Sequence, residues 1–212
     1  MGELHPMSPT TTPCDPLGLD SATFLHATRA AGLPQRQSAL PLWQQAQRSG
    51  TVDWSLLPTS ARPAWQAQLH PSRLQLAERI DEAGPQGSTS KLILTTADDQ
   101  RIETVVFPVG RRRVVCISSQ IGCRLACRFC ETGRMGLRRN LTPGEIIAQV
   151  AAAAAAIDRA PERVVFMGMG EALDNADAVI ASLHILTDRR GWAYAHDRLT
   201  VCTAGHAAGI RR

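Results

Sequence analysis

The sequence contains few aromatic residues and almost no lysine. Aromatic residues make up 4% of the 212 positions, so a core built from the 44% of hydrophobic residues must be mainly aliphatic. Lys91 is the only lysine among 23 basic residues, and the formal net charge is +4. Arginine suits bidentate contact with phosphate, although a GC-rich genome would explain the same bias.

Targeting and membrane signals are also absent. The sequence has no run of about 18 apolar residues, which a membrane-spanning helix would need. The first residues lack the charged start and apolar middle of a signal peptide. We therefore expect a cytoplasmic protein with no membrane span. Six cysteines in such a chain favour a metal site over a disulfide framework.

The first part of the chain is predicted to be helical. Residues 1–20 are rich in Pro and Thr and are expected to form a disordered tail, in which Cys14 is an incidental thiol. Residues 21–83 predict a small helical accessory domain, and residues 84–90 a linker. The helices of this domain are expected to begin at Ser21, Leu42, Pro63 and Ser72.

Beyond the linker the hydrophobic period changes to two. Residues 91–96 and 101–108 predict a β-hairpin, and residues 114–119 predict a strand that leads into a loop with three cysteines. Further strands are predicted at 163–167 and 198–203, and helices between them begin at Thr142 and Asn175. This alternation is typical of an α/β fold with a parallel sheet, in which the loops following the strands share one rim.

The loop after the strand at 114–119 contains the pattern C-x3-C-x2-C. Cys123, Cys127 and Cys130 can hold three irons of a 4Fe–4S cube, which leaves the fourth iron open to S-adenosylmethionine. Phe129 is expected to shield one side of the cluster. Zinc would favour a second cysteine pair, which the chain lacks, and a disulfide with a spare thiol would suit a small secreted protein. We refer to residues 123–130 as the cysteine loop.

Four segments carry a more specific pattern. They are Cys-Ile-Ser-Ser-Gln-Ile-Gly-Cys at 116–123, Cys-Arg-Phe-Cys-Glu-Thr-Gly at 127–133, Arg-Asn-Leu-Thr at 139–142 and Gly-Met-Gly-Glu at 168–171. Together they resemble the RlmN/Cfr family of radical S-adenosylmethionine enzymes. That family methylates adenine carbons of 23S rRNA and, in its C2-methylating branch, of tRNA. The likeness extends from about Lys91 onward, and the helical region is similar in kind to the family's RNA-binding accessory domain.

The resemblance implies a role for several residues. Cys123, Cys127 and Cys130 match the cluster ligands. Gly170 and Glu171 match a cofactor-binding pair whose glutamate faces the methionine amino group, and Cys202 stands where the family has a cofactor-contacting serine. Glu103 matches the proton acceptor, although a solvated strand glutamate is the alternative. Cys116 matches the cysteine that resolves a covalent RNA adduct through a disulfide, although a buried core thiol is the alternative.

The resemblance also implies partners and a fold. The expected cofactors are a 4Fe–4S cluster and S-adenosylmethionine, and the expected partners are 23S rRNA, tRNA and an electron donor such as flavodoxin. Residues 91–212 would form a β-hairpin and the front half of a partial (βα)6 barrel. None of the six cysteines aligns with the family's methyl-carrier cysteine, so the chain is expected to be truncated at its C-terminus. A non-catalytic 4Fe–4S or RNA-binding paralogue and a different radical enzyme are the alternatives.

Arginines surround the predicted site. Eight of them stand near the cysteine loop against the single acid Glu131. Such a concentration of positive charge predicts a surface that attracts phosphates, and an ordinary solvated basic surface is the alternative. The arginines are Arg111, Arg112, Arg113, Arg124, Arg128, Arg134, Arg138 and Arg139.

Overall fold

The computed structural model describes residues 14–212, and its first block is helical. The helices are α1 (Ser21–Ala30), α2 (Ala39–Ser49) and α3 (Arg62–Gln68), with 3-10 turns at Arg36–Ser38 and Trp54–Leu56. Phe24, Trp43 and Trp65 are fully buried in a core of their own. The predicted helices near positions 21, 42 and 63 are therefore confirmed, although Asp20 rather than Ser21 caps α1, by accepting the Thr23 N–H at 2.8 Å.

The second block contains most of the strands. They are β1 (Gln75–Gly84), β2 (Gly87–Thr95), β3 (Arg101–Val109), β4 (Arg112–Ile117), β5 (Gln120–Ile121), β6 (Arg139–Asn140), β7 (Arg163–Phe166) and β8 (Leu199–Val201). The helices are α4 (Glu131–Arg134), α5 (Pro143–Ile157), α6 (Ala176–Thr187) and α7 (Ala207–Ile210), with 3-10 turns at Ala172–Asn175 and His196–Arg198.

Six strands form one sheet in the order β1-β2-β3-β4-β7-β8. Strands β1 to β4 pair antiparallel, whereas β4, β7 and β8 pair parallel. Helices α5 and α6 make the two crossovers between the parallel strands, as the alternating pattern predicted. Strands β5 and β6 form a separate two-stranded pair beside the cysteine loop.

The prediction of a helix starting at Ser72 is wrong, because this segment is strand β1. Leu76 and Ile80 have helical spacing, but a bulge between Leu76 and Glu78 puts them on opposite faces of the strand. Pairing with β2 along ten residues overrides the local pattern. The predicted linker at 84–90 is also wrong, since Gly84 pairs with Gly87 at a hairpin turn and β2 begins there.

The expected disordered tail is wrong for residues 14–20. Cys14 is buried, donates its N–H to Gln68 O at 2.9 Å and accepts the His70 N–H at 3.0 Å. Leu17 is fully buried in the core of the second block. Burial raises the pKa of the Cys14 thiol to about 11, so this cysteine is a fixed and protonated core residue. Residues 1–13, where the rest of the predicted tail falls, lie outside the described residues.

Helix α5 covers one face of the sheet. It begins with the predicted capping box, in which Thr142 Oγ1 accepts the Glu145 N–H and the Glu145 carboxylate accepts the Thr142 N–H. Ile146, Ile147 and Val150 pack on Val115, Ile117 and their neighbours. The opposite face, which we call the open face, bears Lys91, Val105, Cys116, Val165 and Thr200 in one cross-strand row. Within residues 14–212, no helix is both long and apolar enough to cross a membrane.

Candidate active site

Three loops meet at the carboxyl ends of the parallel strands. After β4, Ser119 donates its N–H to Met169 O at 2.9 Å, and after β7, Gly168 donates its N–H to Ile117 O at 3.0 Å. The loop after β8 joins them, because Ala204 donates its N–H to Glu171 Oε2 at 2.8 Å. The shared rim that the strand alternation predicts is therefore confirmed.

The cysteine loop presents three free thiols. Cys123 is buried, whereas Cys127 and Cys130 are half-buried. The backbone folds back between the last two, since Cys130 donates its N–H to Cys127 O at 3.0 Å. Gly133 packs on this turn so closely that a Cβ at its position would lie 2.9 Å from Cys127 N. Gly133, just beyond the loop, thus lets the loop fold back tightly, and the three cysteines remain free thiols.

The donor set suits a cluster better than a single ion. Within the described part of the chain, no group of three or more His, Cys, Asp or Glu side chains converges as the ligands of one metal ion do. A 4Fe–4S cube spreads three thiolates over three irons, so its ligands need not converge on one point. Three free thiols at this spacing on an open rim therefore fit the cube. Phe129, beside them, is 93% exposed, and its shielding of the cluster stays a prediction.

The segment Gly-Met-Gly-Glu, at 168–171, forms a turn that we call the cofactor turn, in which Met169 and Glu171 are buried and Gly168 is exposed. Gly168 must be glycine, since a Cβ there would lie 2.8 Å from the backbone of Ile117 and Ser118. Glu171 is 5% exposed, and its two carboxylate oxygens accept the N–H groups of Leu173 at 3.1 Å and Ala204 at 2.8 Å. A carboxylate has about four acceptor positions, so Glu171 keeps the capacity to accept an ammonium group.

The open face brings the other predicted residues together. Lys91 Nζ lies 2.8 Å from Glu103 Oε1, and both side chains are partly exposed. Cys116 lies opposite Val105, two residues from Glu103 on the same face. Burial raises the pKa of Cys116, and the nearby Cys202 raises it further. Glu103, Cys116 and Cys202 thus share one surface, with Cys116 in its thiol form at neutral pH.

The arginines near the site are less free than their number suggests. Arg139 pairs with Asp98 at 2.6 Å and with Glu145 at 2.8 Å, Arg124 pairs with Asp174, and Arg134 pairs with Glu131 at 3.3 Å. The positive excess is therefore smaller than the sequence count implied, because acids distant in the chain fold back onto the loop. Within residues 14–212, ion pairs are absent from Arg111, Arg112 and Arg128. Arg111, Arg112 and Arg113 lie at or just before the start of β4, at the end of the sheet opposite the rim, so the prediction that these three stand around the cysteine loop is wrong.

Comparison with known proteins places this geometry in a family. The model of the radical SAM superfamily matches residues 117–208. The chain is 46% identical over 126 residues to the probable dual-specificity RNA methyltransferase RlmN 1 of Protochlamydia amoebophila, covering 59% of this chain and 35% of that protein. It is 39% identical over 197 residues to the probable dual-specificity RNA methyltransferase RlmN of Moorella thermoacetica, covering 88% and 54%. The chain belongs to the RlmN/Cfr family.

A solved structure supports the fold at the same level. A radical SAM methyltransferase from Sphaerobacter thermophilus matches with a TM-score of 0.80 and 35% sequence identity, over 91% of this chain and 57% of that one. The predicted α/β class and partial barrel are confirmed. The barrel part consists of the parallel strands β4, β7 and β8 and the crossover helices α5 and α6. The chain spans about half the length of the curated relatives it matches.

Membership of the RlmN/Cfr family also confirms the predicted cofactors, a 4Fe–4S cluster and S-adenosylmethionine. Cys123, Cys127 and Cys130 would hold the cluster, and the cofactor turn lies beside them on the same rim. The roles assigned to Glu103, Cys116, Gly170, Glu171 and Cys202 remain predictions, which the placement of these residues allows.

The sequence reasoning missed two residues that organise this RlmN/Cfr site. Arg139 holds the helix cap residue Glu145 to the β2–β3 turn, and Gln120 lies fully buried between the cysteine loop and the cofactor turn. Both stand inside the segments that carry the family resemblance. The sequence signal for each of them was a polar residue inside one of these motifs. The residues that they bond are far away in the chain, so the sequence did not show the pairing.

Proposed function

We propose that the protein acts as a radical S-adenosylmethionine RNA methyltransferase of the RlmN type, with carbon C2 of adenine in 23S rRNA and in tRNA as its target. The observation that carries this proposal is the juxtaposition of three free thiols with the cofactor turn on one rim. The names of the relatives support the RNA substrate. We place the reaction in the cytoplasm, with a flavodoxin-like protein as electron donor.

The chain's own residues divide the task between rim and open face. The cysteine loop holds the cluster, which when bound supplies the electron that cleaves the sulfonium. The Glu171 carboxylate accepts a hydrogen bond from the amino group of the methionine moiety. The backbone N–H groups of Leu173 and Ala204 hold the Glu171 carboxylate in place. Gly170, with φ of +99°, lets the turn pack directly on Gln120, where a Cβ would have no room.

On the open face, Glu103 accepts the proton from the adenine carbon. Its carboxylate is oriented by Lys91 at 2.8 Å, and its backbone oxygen accepts the Ser118 hydroxyl at 2.7 Å. Cys116 lies on the same face, and its thiol must lose its proton before the sulfur attacks a covalent adduct. The unpaired Arg111 and Arg112 lie at the turn between β3 and β4, at the end of the sheet opposite the rim, and add a longer-range attraction for RNA phosphates.

The test is a product analysis of the anaerobically reconstituted protein in a form that includes the family's methyl-carrier cysteine, since none of the six cysteines in residues 1–212 aligns with it. The protein is incubated with reductant, S-adenosylmethionine and either 23S rRNA or tRNA, and both 2-methyladenosine and 5′-deoxyadenosine are quantified by mass spectrometry. We expect both products, and we expect Glu103→Gln to lose 2-methyladenosine while it still forms 5′-deoxyadenosine. Formation of 5′-deoxyadenosine without any methyladenosine would refute the methyltransferase proposal and leave a cofactor-cleaving protein.

A further inference from the structure

A buried glutamine connects the two halves of the cofactor site. Gln120 is 0% exposed and lies on the short strand β5, three residues before Cys123. Its Oε1 accepts the Glu171 N–H at 2.9 Å, so it holds the backbone of the cofactor turn. The turn fits tightly around it, because a Cβ at Gly170 would lie 2.5 Å from Gln120 Cβ.

The orientation of this glutamine amide is fixed by its other partners. Gln120 Nε2 donates to Asn140 Oδ1 at 2.8 Å and to Asp174 Oδ2 at 3.2 Å. An ionised carboxylate only accepts hydrogen bonds, so the amide nitrogen must face Asp174. The amide oxygen is then left to face the Glu171 N–H. Asp174 therefore fixes the orientation of the Gln120 amide, and this amide holds the backbone of the cofactor turn.

Asp174 also binds the cysteine loop. Its side chain is 7% exposed, and its Oδ1 accepts a hydrogen bond from Nη2 of Arg124, the residue that follows Cys123. His206 Nε2, from the loop after β8, lies 3.9 Å from the same oxygen. Asp174 thus lies where the cysteine loop, β5 and the loop after β8 approach one another.

We propose that Arg124, Asp174 and Gln120 form a positioning relay that fixes the cofactor turn relative to the cysteine loop. This inference rests on the proposed function, because it takes the methionine moiety of one S-adenosylmethionine to be held by two groups, the open iron of the cluster and Glu171. A ligand gripped at two points binds tightly only when the two grips are held at the right separation. The relay connects them through side chains, and none of its members needs to touch the cofactor.

The relay can be broken at its exposed end without disturbing the core. Arg124 is 60% exposed on its side chain, so Arg124→Met is expected to fold, whereas Arg124→Lys keeps the charge opposite Asp174. We expect Arg124→Met to weaken S-adenosylmethionine binding to the cluster-loaded protein about 10-fold, in the range typical of coupling between sites. Arg124→Lys is expected to stay within about 3-fold of wild type. Anaerobic titration calorimetry measures both.

The buried end is tested by a second measurement that needs no cofactor. In Gln120→Met, hydrogen exchange at the backbone of residues 169–171 should accelerate about 10-fold or more, because the Glu171 N–H loses its acceptor. Gln47→Met is the matched control, since Gln47 is also 0% exposed and bonded to backbone oxygens but lies in α2, away from the rim. It should leave the exchange of residues 169–171 unchanged.

The outcomes separate the relay from the proposed function. A wild-type protein that carries a cluster but binds no S-adenosylmethionine would overturn the proposed function. The same result would overturn the relay's coupling of the two groups that hold the cofactor. Normal binding by wild type together with unchanged binding by Arg124→Met would overturn the relay alone. Unchanged exchange of residues 169–171 in Gln120→Met would also overturn the relay. Weaker binding together with faster exchange would support it.

Discussion

The cysteine loop and the cofactor turn lie side by side but are held in different ways. In the turn, Met169 and Glu171 are buried whereas Gly168 is exposed, and the residues from Gly168 to Glu171 bond the neighbouring segments through backbone or buried side-chain partners. The loop is largely exposed, with Leu125 at 44% and Phe129 at 93%. Its internal backbone bonds are few, among them Cys130 N–H to Cys127 O at 3.0 Å.

This contrast indicates which interactions stabilise the conformation of each segment. The protein's own packing determines the cofactor turn, whereas metal ligation must supply much of the order of the cysteine loop. A change in the turn should therefore affect folding, and a change in the loop should affect cluster content. The predictions below test this division, beginning with the largest expected effect.

Removal of one thiol should abolish the cluster. We expect Cys127→Ala to lose nearly all bound iron after anaerobic reconstitution, because three ligands are the minimum for a cube with an open iron. The thermal midpoint of the protein prepared without iron should hardly change, since Cys127 is only half-buried. Iron and sulfide assays and a thermal melt measure the two effects. Cys14→Ala, in the separate core of the helical block, is the control that should retain its iron.

A methyl group in the cofactor turn should destabilise the fold. Gly168→Ala would put a Cβ at 2.8 Å from the backbone of Ile117 and Ser118, and we expect a loss of about 3 kcal/mol in the free energy of unfolding. The control is Gly136→Ala, beyond the cysteine loop, where φ is +67° but no atom lies within 4 Å. Its cost should be about 1 kcal/mol, from backbone strain alone. Equal losses of unfolding free energy in the two variants, measured by urea unfolding, would contradict this division between packing and metal ligation.

Arg139 should matter for stability more than its exposed neighbour. Arg139→Gln removes bidentate hydrogen bonds to Asp98 and to Glu145, whose side chain is only 10% exposed. We expect the free energy of unfolding to fall by about 2 kcal/mol. Arg138→Gln, which loses one exposed bond to Gln100, should change it by about 0.5 kcal/mol or less. Similar losses of unfolding free energy in the two variants would show that the Arg139 contacts stabilise the fold no more than the Arg138 bond does.

Asp98 should show a smaller and pH-dependent effect. Hydrogen bonds from Arg139 and then from Thr96 hold the pKa of Asp98 well below its usual range. A depressed pKa stabilises the fold above the ordinary aspartate pKa of about 3.9, and this stabilisation is lost as the pH falls through the lower value. Asp98→Asn should therefore be less stable than wild type at pH 7. The difference in urea midpoint should stay constant down to about pH 4 and shrink below it; a difference that grows on acidification would contradict this assignment.

The sequence was a good guide where local pattern and tertiary structure agree. The capping box at Thr142 and Glu145 and the alternation of strands with α5 and α6 follow from spacing and propensity. Strand β1 was missed because a bulge and its pairing with β2 override the helical spacing of Leu76 and Ile80.

The site was predictable only in part, for a related reason. The thiols and the cofactor turn are short motifs, and their chemistry is evident from their spacing. Gln120 and Arg139 act through Asp174 and Asp98, which are 54 and 41 residues away along the chain. A single sequence does not reveal such distant pairs, so the structure was needed to show how the two motifs are joined.

The central claim is that three thiols of the cysteine loop hold a cube with one open iron. Mössbauer spectroscopy of the anaerobically reconstituted, iron-57-enriched protein tests it most directly, with and without S-adenosylmethionine. The account predicts that about one iron in four changes its signal when S-adenosylmethionine is added. A spectrum in which all irons stay equivalent after the addition, or in which only isolated iron is present, would contradict it.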